Sequence, residues 1–386
     1  MDSKAGTFNA KKSDSFADWY NEVLSKAQIV DNRYPVKGMP VMLPNGCFMH
    51  DKIMRTLEKR WEERNIRRCL FPIAIPYDYL AREAEHVAGF TKECYWISSA
   101  GDQKLEKPFA LRPTSETAMY SMFALWIRSY ADLPLKVYQT VSVYRYETKS
   151  TKPLIRVREI PWNEAHCAFP DAQTAVDDLH AAVDIYRDII ENKLLVRGVV
   201  LQRPEWDRFA GAVFTIVIDI IMPCGRVLQS AGLHYLGTKF ASAFGIKYLD
   251  AGNGQQMPHM TCYGVSTRLL AAALSIPGDD NGLVVSPEIS PYQVVVIAIS
   301  SKNEEDNVRV REECQRIAEA LRTGNGDRKR KLRVLLDVGS EAIGPKYYRH
   351  ELNGVPVRLE LGARDLKGQH LMISDRKTKR KERVPY

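Results

Sequence analysis

The residues able to do chemistry crowd into one stretch of the chain, 111 to 169. Four segments follow one another there: Leu111-Arg112-Pro113-Thr114-Ser115-Glu116-Thr117, Val143-Tyr144-Arg145-Tyr146-Glu147, Arg156-Val157-Arg158-Glu159 and Trp162-Asn163-Glu164-Ala165-His166. Strand alternation sets Arg145 and Glu147 on one face of a hairpin and lets Arg156 and Arg158 share the corresponding face of its return strand. Planar, permanently charged guanidinium forks beside carboxylates suit the grip of a polyphosphate, with carboxylates left over to orient the forks and to meet Mg²⁺ or amine groups. A solvated ladder on an ordinary surface shows the same alternation, so the hairpin alone leaves both readings open.

Other familiar sites are absent. The run Gly232-Leu233-His234-Tyr235-Leu236-Gly237-Thr238-Lys239 has the glycine spacing of a phosphate loop, but its Thr and Lys are transposed and no βαβ unit surrounds it. The sequence contains no G-x-G-x-x-G, H-E-x-x-H or G-x-S-x-G. None of the eight histidines pairs with Cys or Asp at metal-ligand spacing, so no metal cage built by protein side chains alone is expected.

The elements that must position these residues are helices and strands mixed without a βαβ rhythm. Helical spacing of Phe16, Trp19, Tyr20, Val23, Leu24 and Ala27 behind Asp14 predicts an amphipathic helix over 14–28. Further helices are expected over 47–66, from near Thr114 to about Tyr130, over 171–195 and over 264–275. Strands are expected over 136–145, 153–169, 212–221 and 226–234, the first two joined as a hairpin by the polar turn 147–152. This is an α+β unit on an antiparallel sheet. After the turn-rich Pro277 to Gly282 and Pro287 to Pro291 the pattern changes to strand 292–300, helix 303–322, strand 332–337, helix 341–352 and strands 355–361 and 370–374, a smaller α/β domain on a mixed sheet. The expected domains are 14–287 and 291–386.

Length and composition agree with two soluble units. The chain has 386 residues, 45% hydrophobic and 26% charged, and no window approaches the ~18 consecutive apolar residues of a membrane span. Its N-terminus opens on polar residues, and a cytosolic location is expected. Seven scattered cysteines, never in a C-x-x-C pair, read as reduced thiols. Residues 291 to 386 hold 21 Lys and Arg against 14 Asp and Glu, so +7 of the net +8 lies there. Two basic runs carry it, Arg328-Lys329-Arg330-Lys331 with Arg333, and Arg376-Lys377 with Lys379-Arg380-Lys381 and Arg383. They suit a polyanion such as nucleic acid, or a solvated loop and tail.

Taken together the segments resemble class II aminoacyl-tRNA synthetases, and among these the prolyl-tRNA synthetases of the archaeal and eukaryotic type. Leu111 to Glu116 is similar to the amino-acid-binding signature, Tyr144-Arg145-Tyr146-Glu147 with Pro153 to Glu159 to motif 2, and Gly264-Val265-Ser266-Thr267-Arg268 to motif 3. Glu83 to Phe90, Arg203-Pro204-Glu205-Trp206-Asp207 and Asn353 to Arg358 fit as well, so the likeness runs from about residue 14 to 375. It implies a class II catalytic domain followed by an anticodon-binding domain. It also implies ATP-dependent activation of L-proline and transfer to proline tRNA, with Mg²⁺ accompanying ATP and held mainly by its phosphates.

The same resemblance implies roles. Arg145 would grip the α-phosphate, Arg268 the far side of the nucleotide, and Arg156 the triphosphate. Glu147 would take the adenine amino group or brace an arginine. Thr114 and Glu116 would accept the proline ammonium; Trp162, Glu164 and His166 would form the wall and rim of the proline pocket. Gln229 would line the nucleotide site and His234 the proline site. Two positions depart from the pattern, Gly232 where a hydroxyl residue is common and Ile160 where many relatives carry an aromatic. The segment Val36 to Gly46 resembles motif 1, which implies a homodimer. The basic domain would meet tRNA phosphates. The 95 residues between His166 and Cys262 are too few for the editing insertion of bacterial relatives. The chain ends at Tyr386, where relatives of this type continue into a further domain, so it is expected to be short by nature or part of a longer protein. A synthetase-like binding or regulatory subunit, and a ligase for a related amino acid, are the rival readings.

Overall fold

The computed structural model describes residues 8–81, 93–324 and 331–385. The segment Glu83 to Phe90 and the basic residues Arg328 to Arg330 lie outside them. The chain forms two compact units, one of Asn32–Val41 and Ile53–Ala272, the other of Met1–Asp31, Met42–Lys52 and Ala273–Tyr386. Among the described residues no helix is long and apolar enough to cross a membrane.

The first unit is built on a seven-stranded sheet. Its strands are β1 Arg67–Arg68, β2 Leu135–Tyr144, β3 Glu159–Phe169, β4 Val199–Gln202, β5 Phe214–Ile221, β6 Val227–Gly237 and β7 His259–Ser266, in the order β1-β2-β3-β7-β6-β5-β4. All neighbours are antiparallel except β1 and β2. The helix Ala172–Arg187, capped by Asp171 accepting from the Thr174 amide at 2.9 Å, packs across β3, β6 and β7. On the other side the helix Glu116–Trp126 buries Met119, Tyr120 and Phe123 in a core with Leu236, Phe240, Phe244 and Met260.

Three sequence expectations change here. The return strand begins at Glu159, not Pro153, because the Ile155 and Arg156 amides both close on the Lys152 carbonyl and Leu154 takes a left-handed φ of 61°. Arg156 and Arg158 therefore stand in a loop rather than on the ladder. The expected helix 264–275 begins only at Arg268, since His259–Ser266 is a central strand paired on both sides. The helix expected to reach Leu195 is α-helical to Arg187 and closes in a π-helical turn, Asp188–Lys193.

The second unit carries a five-stranded sheet: β8 Val294–Ala298, β9 Val334–Asp337, β10 Val357–Leu361, β11 His370–Asp375 and β12 Lys381–Pro385, ordered β9-β8-β10-β11-β12. The first three are parallel and the last two antiparallel, so the sheet is mixed as expected, with β12 added at its edge. The helix Glu304–Thr323, capped by Asn303, buries Val310, Cys314, Ile317 and Ala318 against it. The first helix, Phe16–Lys26, is capped by Ser15 rather than Asp14. Its Trp19 indole donates to the Asp279 carbonyl at 2.9 Å.

The basic runs are not uniform. Arg376 is buried and grips Asp279 with both guanidinium ends at 2.6 and 2.8 Å, and Arg333 donates to the carbonyls of Pro287 and Ser290 at 2.6 and 2.9 Å. Both brace their own unit. Lys377, Lys379, Arg380, Lys381 and Arg383 remain exposed.

Candidate active site

Strand register assembles the site. On one face of the sheet, partners in successive strands form two rows: Gln139, Glu164, Gly264, Gly232 and Val217, and beside it Val137, His166, Cys262, His234 and Thr215. The first row contains two glycines in succession, so the sheet opens there into a trough. A Cβ on Gly264 would stand 3.0 Å from the Asn163 carbonyl, and one on Gly232 would stand 3.0 Å from Gln229 Nε2 and 3.3 Å from His234 Nε2. The departure at Gly232 thus leaves room between two expected site residues. The resulting cleft, about 370 Å³, falls in the range of small-molecule sites. It is lined by all eleven residues expected from the sequence: Thr114, Glu116, Arg145, Glu147, Arg156, Trp162, Glu164, His166, Gln229, His234 and Arg268.

One end of the cleft is anionic and deep. Thr114 Oγ1 donates to Glu116 Oε2, and Cys262 Sγ lies 3.6 Å from Glu116 Oε1. Glu164 and His166, expected as wall and rim, are instead 3% and 1% exposed, so they form the floor. His166 Nε2 lies 3.0 Å from Glu164 Oε2 and its Nδ1 2.9 Å from the Tyr120 hydroxyl. Burial works against the charged imidazole, but the hydrogen bond to Glu164 and the charges of Glu164 and Glu116 outweigh it, and the His166 pKa is raised. Burying two carboxylates is costly without partners; here each has them, and the pocket still offers negative charge to an ammonium.

The other end is cationic. Arg145 Nε donates to the Pro113 carbonyl at 2.9 Å and its guanidinium lies 6.0 Å over the Trp162 ring. Burial lowers its pKa while the carboxylates of Glu116, Glu93 and Glu164 oppose that, and arginine remains a cation at neutral pH. Arg268 Nε donates to the Ile155 carbonyl at 3.0 Å; burial and the charge of Arg156 lower its pKa against the pull of Glu147. Arg156 Nε stands 3.7 Å from Glu147 Oε2. Arg158 donates twice to the Glu147 carbonyl, at 3.1 and 3.2 Å, and stacks 4.3 Å over Tyr146. It holds the loop in shape and is not part of the cleft lining.

Several lining residues escaped sequence reasoning. Phe209 stacks on His234 with ring centroids 4.4 Å apart, and Thr215 Oγ1 holds both the Phe209 amide and His234 Nδ1 at 3.0 Å. Its signal was available, an aromatic just beyond Arg203 to Asp207. Cys262 was missed because its strand was. Among the described residues, Glu116, His166 and Cys262 bring three ligand-type atoms within 4.8 Å of one another. A carboxylate, an imidazole and a thiol are not the oxygen set that Mg²⁺ takes.

This sheet and cleft define a class II synthetase core. Residues 95–276 match the family described as tRNA synthetase class II core domain (G, H, P, S and T), and residues 293–386 the anticodon binding domain. The chain is 44% identical over 378 residues to a proline–tRNA ligase of Archaeoglobus fulgidus, covering 96% of this chain and 77% of the relative. It is 44% identical over 365 residues to that of Pyrococcus abyssi, covering 94% and 74%. A Giardia lamblia prolyl-tRNA synthetase, solved in complex with prolyl-adenylate, superposes with a TM-score of 0.94 at 46% identity, covering 98% of this chain and 77% of that one. The chain belongs to the prolyl-tRNA synthetase family of class II aminoacyl-tRNA synthetases.

Proposed function

We propose that this chain activates L-proline with ATP to form prolyl-adenylate and transfers the prolyl group to proline tRNA. The observation that carries the reading is one cleft with an anionic end at Glu116, Glu164 and His166 and a cationic end at Arg145, Arg156 and Arg268. A zwitterionic amino acid and a polyphosphate need those two ends side by side. The intact set of groups at both ends speaks against a subunit that merely kept the fold, and identity above 40% to proline–tRNA ligases speaks for proline over a related amino acid.

In this reading the proline ammonium meets Glu116 and Thr114, and its ring lies along Trp162 with Phe209 and His234 near. Its carboxylate oxygen attacks the α-phosphorus of ATP, the bond to the β-phosphate oxygen breaks, and pyrophosphate leaves. The attacking carboxylate is already ionised, so no general base is needed and the work is positioning and charge stabilisation. Arg145 is assigned to the α-phosphate, where charge develops. Arg268 and Arg156 are assigned to the outer phosphates, and Glu147 and Gln229 to the nucleotide. The terminal ribose hydroxyl of tRNA then attacks the prolyl carbonyl and AMP departs. The residues fit Mg²⁺ carried on the nucleotide, which takes one or two carboxylates plus phosphates and waters, Glu147 being the carboxylate beside the arginines. When bound it would neutralise phosphate charge.

The 291–386 unit is assigned to tRNA through its exposed cations Lys377, Lys379, Arg380, Lys381 and Arg383. A homodimer is proposed through Val36 to Gly46, near which Tyr34, Val36 and Val41 expose apolar side chains. Charging tRNA for translation assigns the protein to the cytoplasm. The test is aminoacylation: with ATP, Mg²⁺, labelled proline and proline tRNA, the purified protein makes acid-precipitable prolyl-tRNA. Adenylate formation without any transfer would leave only half of the reading.

A further inference from the structure

We infer that Gln139 is a positioning residue for amino-acid recognition, acting through Glu164 on His166; this rests on the reading of the cleft above. Gln139 is fully buried and is the cross-strand partner of Glu164, yet it is not part of the cleft lining. Both donors and the acceptor of its side-chain amide are engaged. Nε2 donates to Glu164 Oε1 at 2.8 Å and to Ser115 Oγ at 2.9 Å, while Oε1 accepts from the Phe71 amide at 3.1 Å.

The arrangement is a buried chain. It runs from the Phe71 amide through Gln139 and Glu164 to His166 and ends on the Tyr120 hydroxyl, itself fixed by edge contacts with Phe240 and Phe244. A carboxylate held by one oxygen can rotate about its last bond; held at Oε1 by Gln139 and at Oε2 by His166, Glu164 has one orientation. Both charged groups at the floor of the anionic end are thereby aimed. The same amide reaches Ser115, which lies between Thr114 and Glu116, so one side chain ties Glu164 to the segment that carries the two residues assigned to the ammonium. Gln139 has no corresponding contact with Arg145, Arg156 or Arg268, and its influence should fall on the amino acid and not on the nucleotide. A leucine or methionine would fill the same volume, so filling space does not explain an amide with three satisfied bonds in this place.

The test uses the full chain with Gln139→Met, which keeps the shape and removes the donors, in proline-dependent pyrophosphate exchange. The KM for proline should rise about ten-fold or more, the cost of leaving a buried charged group short of a partner, while the KM for ATP stays within about twofold. In a Glu164→Gln background the same substitution should have little further effect, because Gln139 acts through Glu164. Gln139→Asn, which keeps a neutral amide but draws it back from Glu164, should shift the proline KM the same way and serves if the methionine variant does not fold. An unchanged proline KM, an equal rise for ATP, full additivity with Glu164→Gln, or failure of both variants to fold would overturn the inference. Absence of proline-dependent exchange in the wild type would overturn the reading of the cleft as well, whereas exchange in the wild type with unaltered variants would overturn this inference alone.

Discussion

Arg145→Ala separates a catalytic arginine from a structural one. Truncation removes the hydrogen bond from Nε to the Pro113 carbonyl at 2.9 Å and the stacking 6.0 Å over Trp162. The first, made by a charged donor, contributes about 1.5 to 3 kcal/mol to stability and the second about 0.5 to 1. Against a typical total of ~5 to 15 kcal/mol the fold survives. Losing a donor aimed at developing charge costs the activation step ~2.7 to 4 kcal/mol, or about 100- to 1,000-fold. The expected pair of results is therefore a melting temperature lowered by a few degrees and a proline-dependent pyrophosphate exchange rate lowered at least about a hundredfold. Arg145→Lys keeps a charge but not the planar fork, and should fall between the two. Exchange in Arg145→Ala within about tenfold of wild type would refute the assignment and leave Arg145 as a brace for Pro113 and Trp162.

Other expectations follow from the same structure. Replacing Arg380 and Lys381 with alanine should weaken tRNA binding for all sequences and reduce its salt dependence by about one logarithmic unit per lost phosphate contact, with proline exchange unchanged; an unaltered salt slope would return these residues to a solvated surface. Asp337→Asn should destabilise the protein by about 3 kcal/mol in urea at pH 7, because it breaks a buried cluster with His350 and Arg349 at 2.7 Å and Lys346 at 3.4 Å. Burial alone would raise the Asp337 pKa, but the bonds from His350 and Arg349 and the charge of Lys346 hold it far below the usual carboxylate range. Its contribution is thus fully present above about pH 4 and lost as pH falls toward the folded-state value, so the difference between wild type and variant should narrow below pH 4 and not at alkaline pH. Alanine and cysteine should support exchange at a kcat/KM about 10- to 200-fold below proline, the limit of discrimination by an apolar pocket; much stronger rejection would require a further device. Sedimentation should give a dimer, and an active monomer would remove the role given to Val36 to Gly46.

Much of the site was legible because its residues are of types that reveal themselves locally. Glu164 and His166 sit on a hairpin strand whose alternation announces which side chains share a face, while Arg145 and Glu147, expected on the same ladder, lie just past the end of the first strand at Tyr144. What stayed hidden was set by tertiary neighbours. Nothing local distinguishes His259 to Ser266 as a strand from the helix that follows, because a central strand buried on both faces lacks alternation. With that strand went the two facing glycines, 232 and 264, that open the trough, and the place of Cys262. Arg156 and Arg158 were set on the return strand because a chain rich in β-branched residues reads as strand even where Leu154 turns it. Arg376 counted as one more cation in a basic run, and only its burial and its partner Asp279, far away in sequence, reveal it as a brace.

Proline activation by this chain is tested most directly by amino-acid-dependent ATP–pyrophosphate exchange, measured with each of the twenty amino acids in turn. The predicted result is exchange with proline, weaker exchange with alanine and cysteine, none with the charged and bulky amino acids, and loss of the proline signal in Arg145→Ala. Exchange that favours another amino acid, or a well-folded protein that exchanges with none, would contradict it.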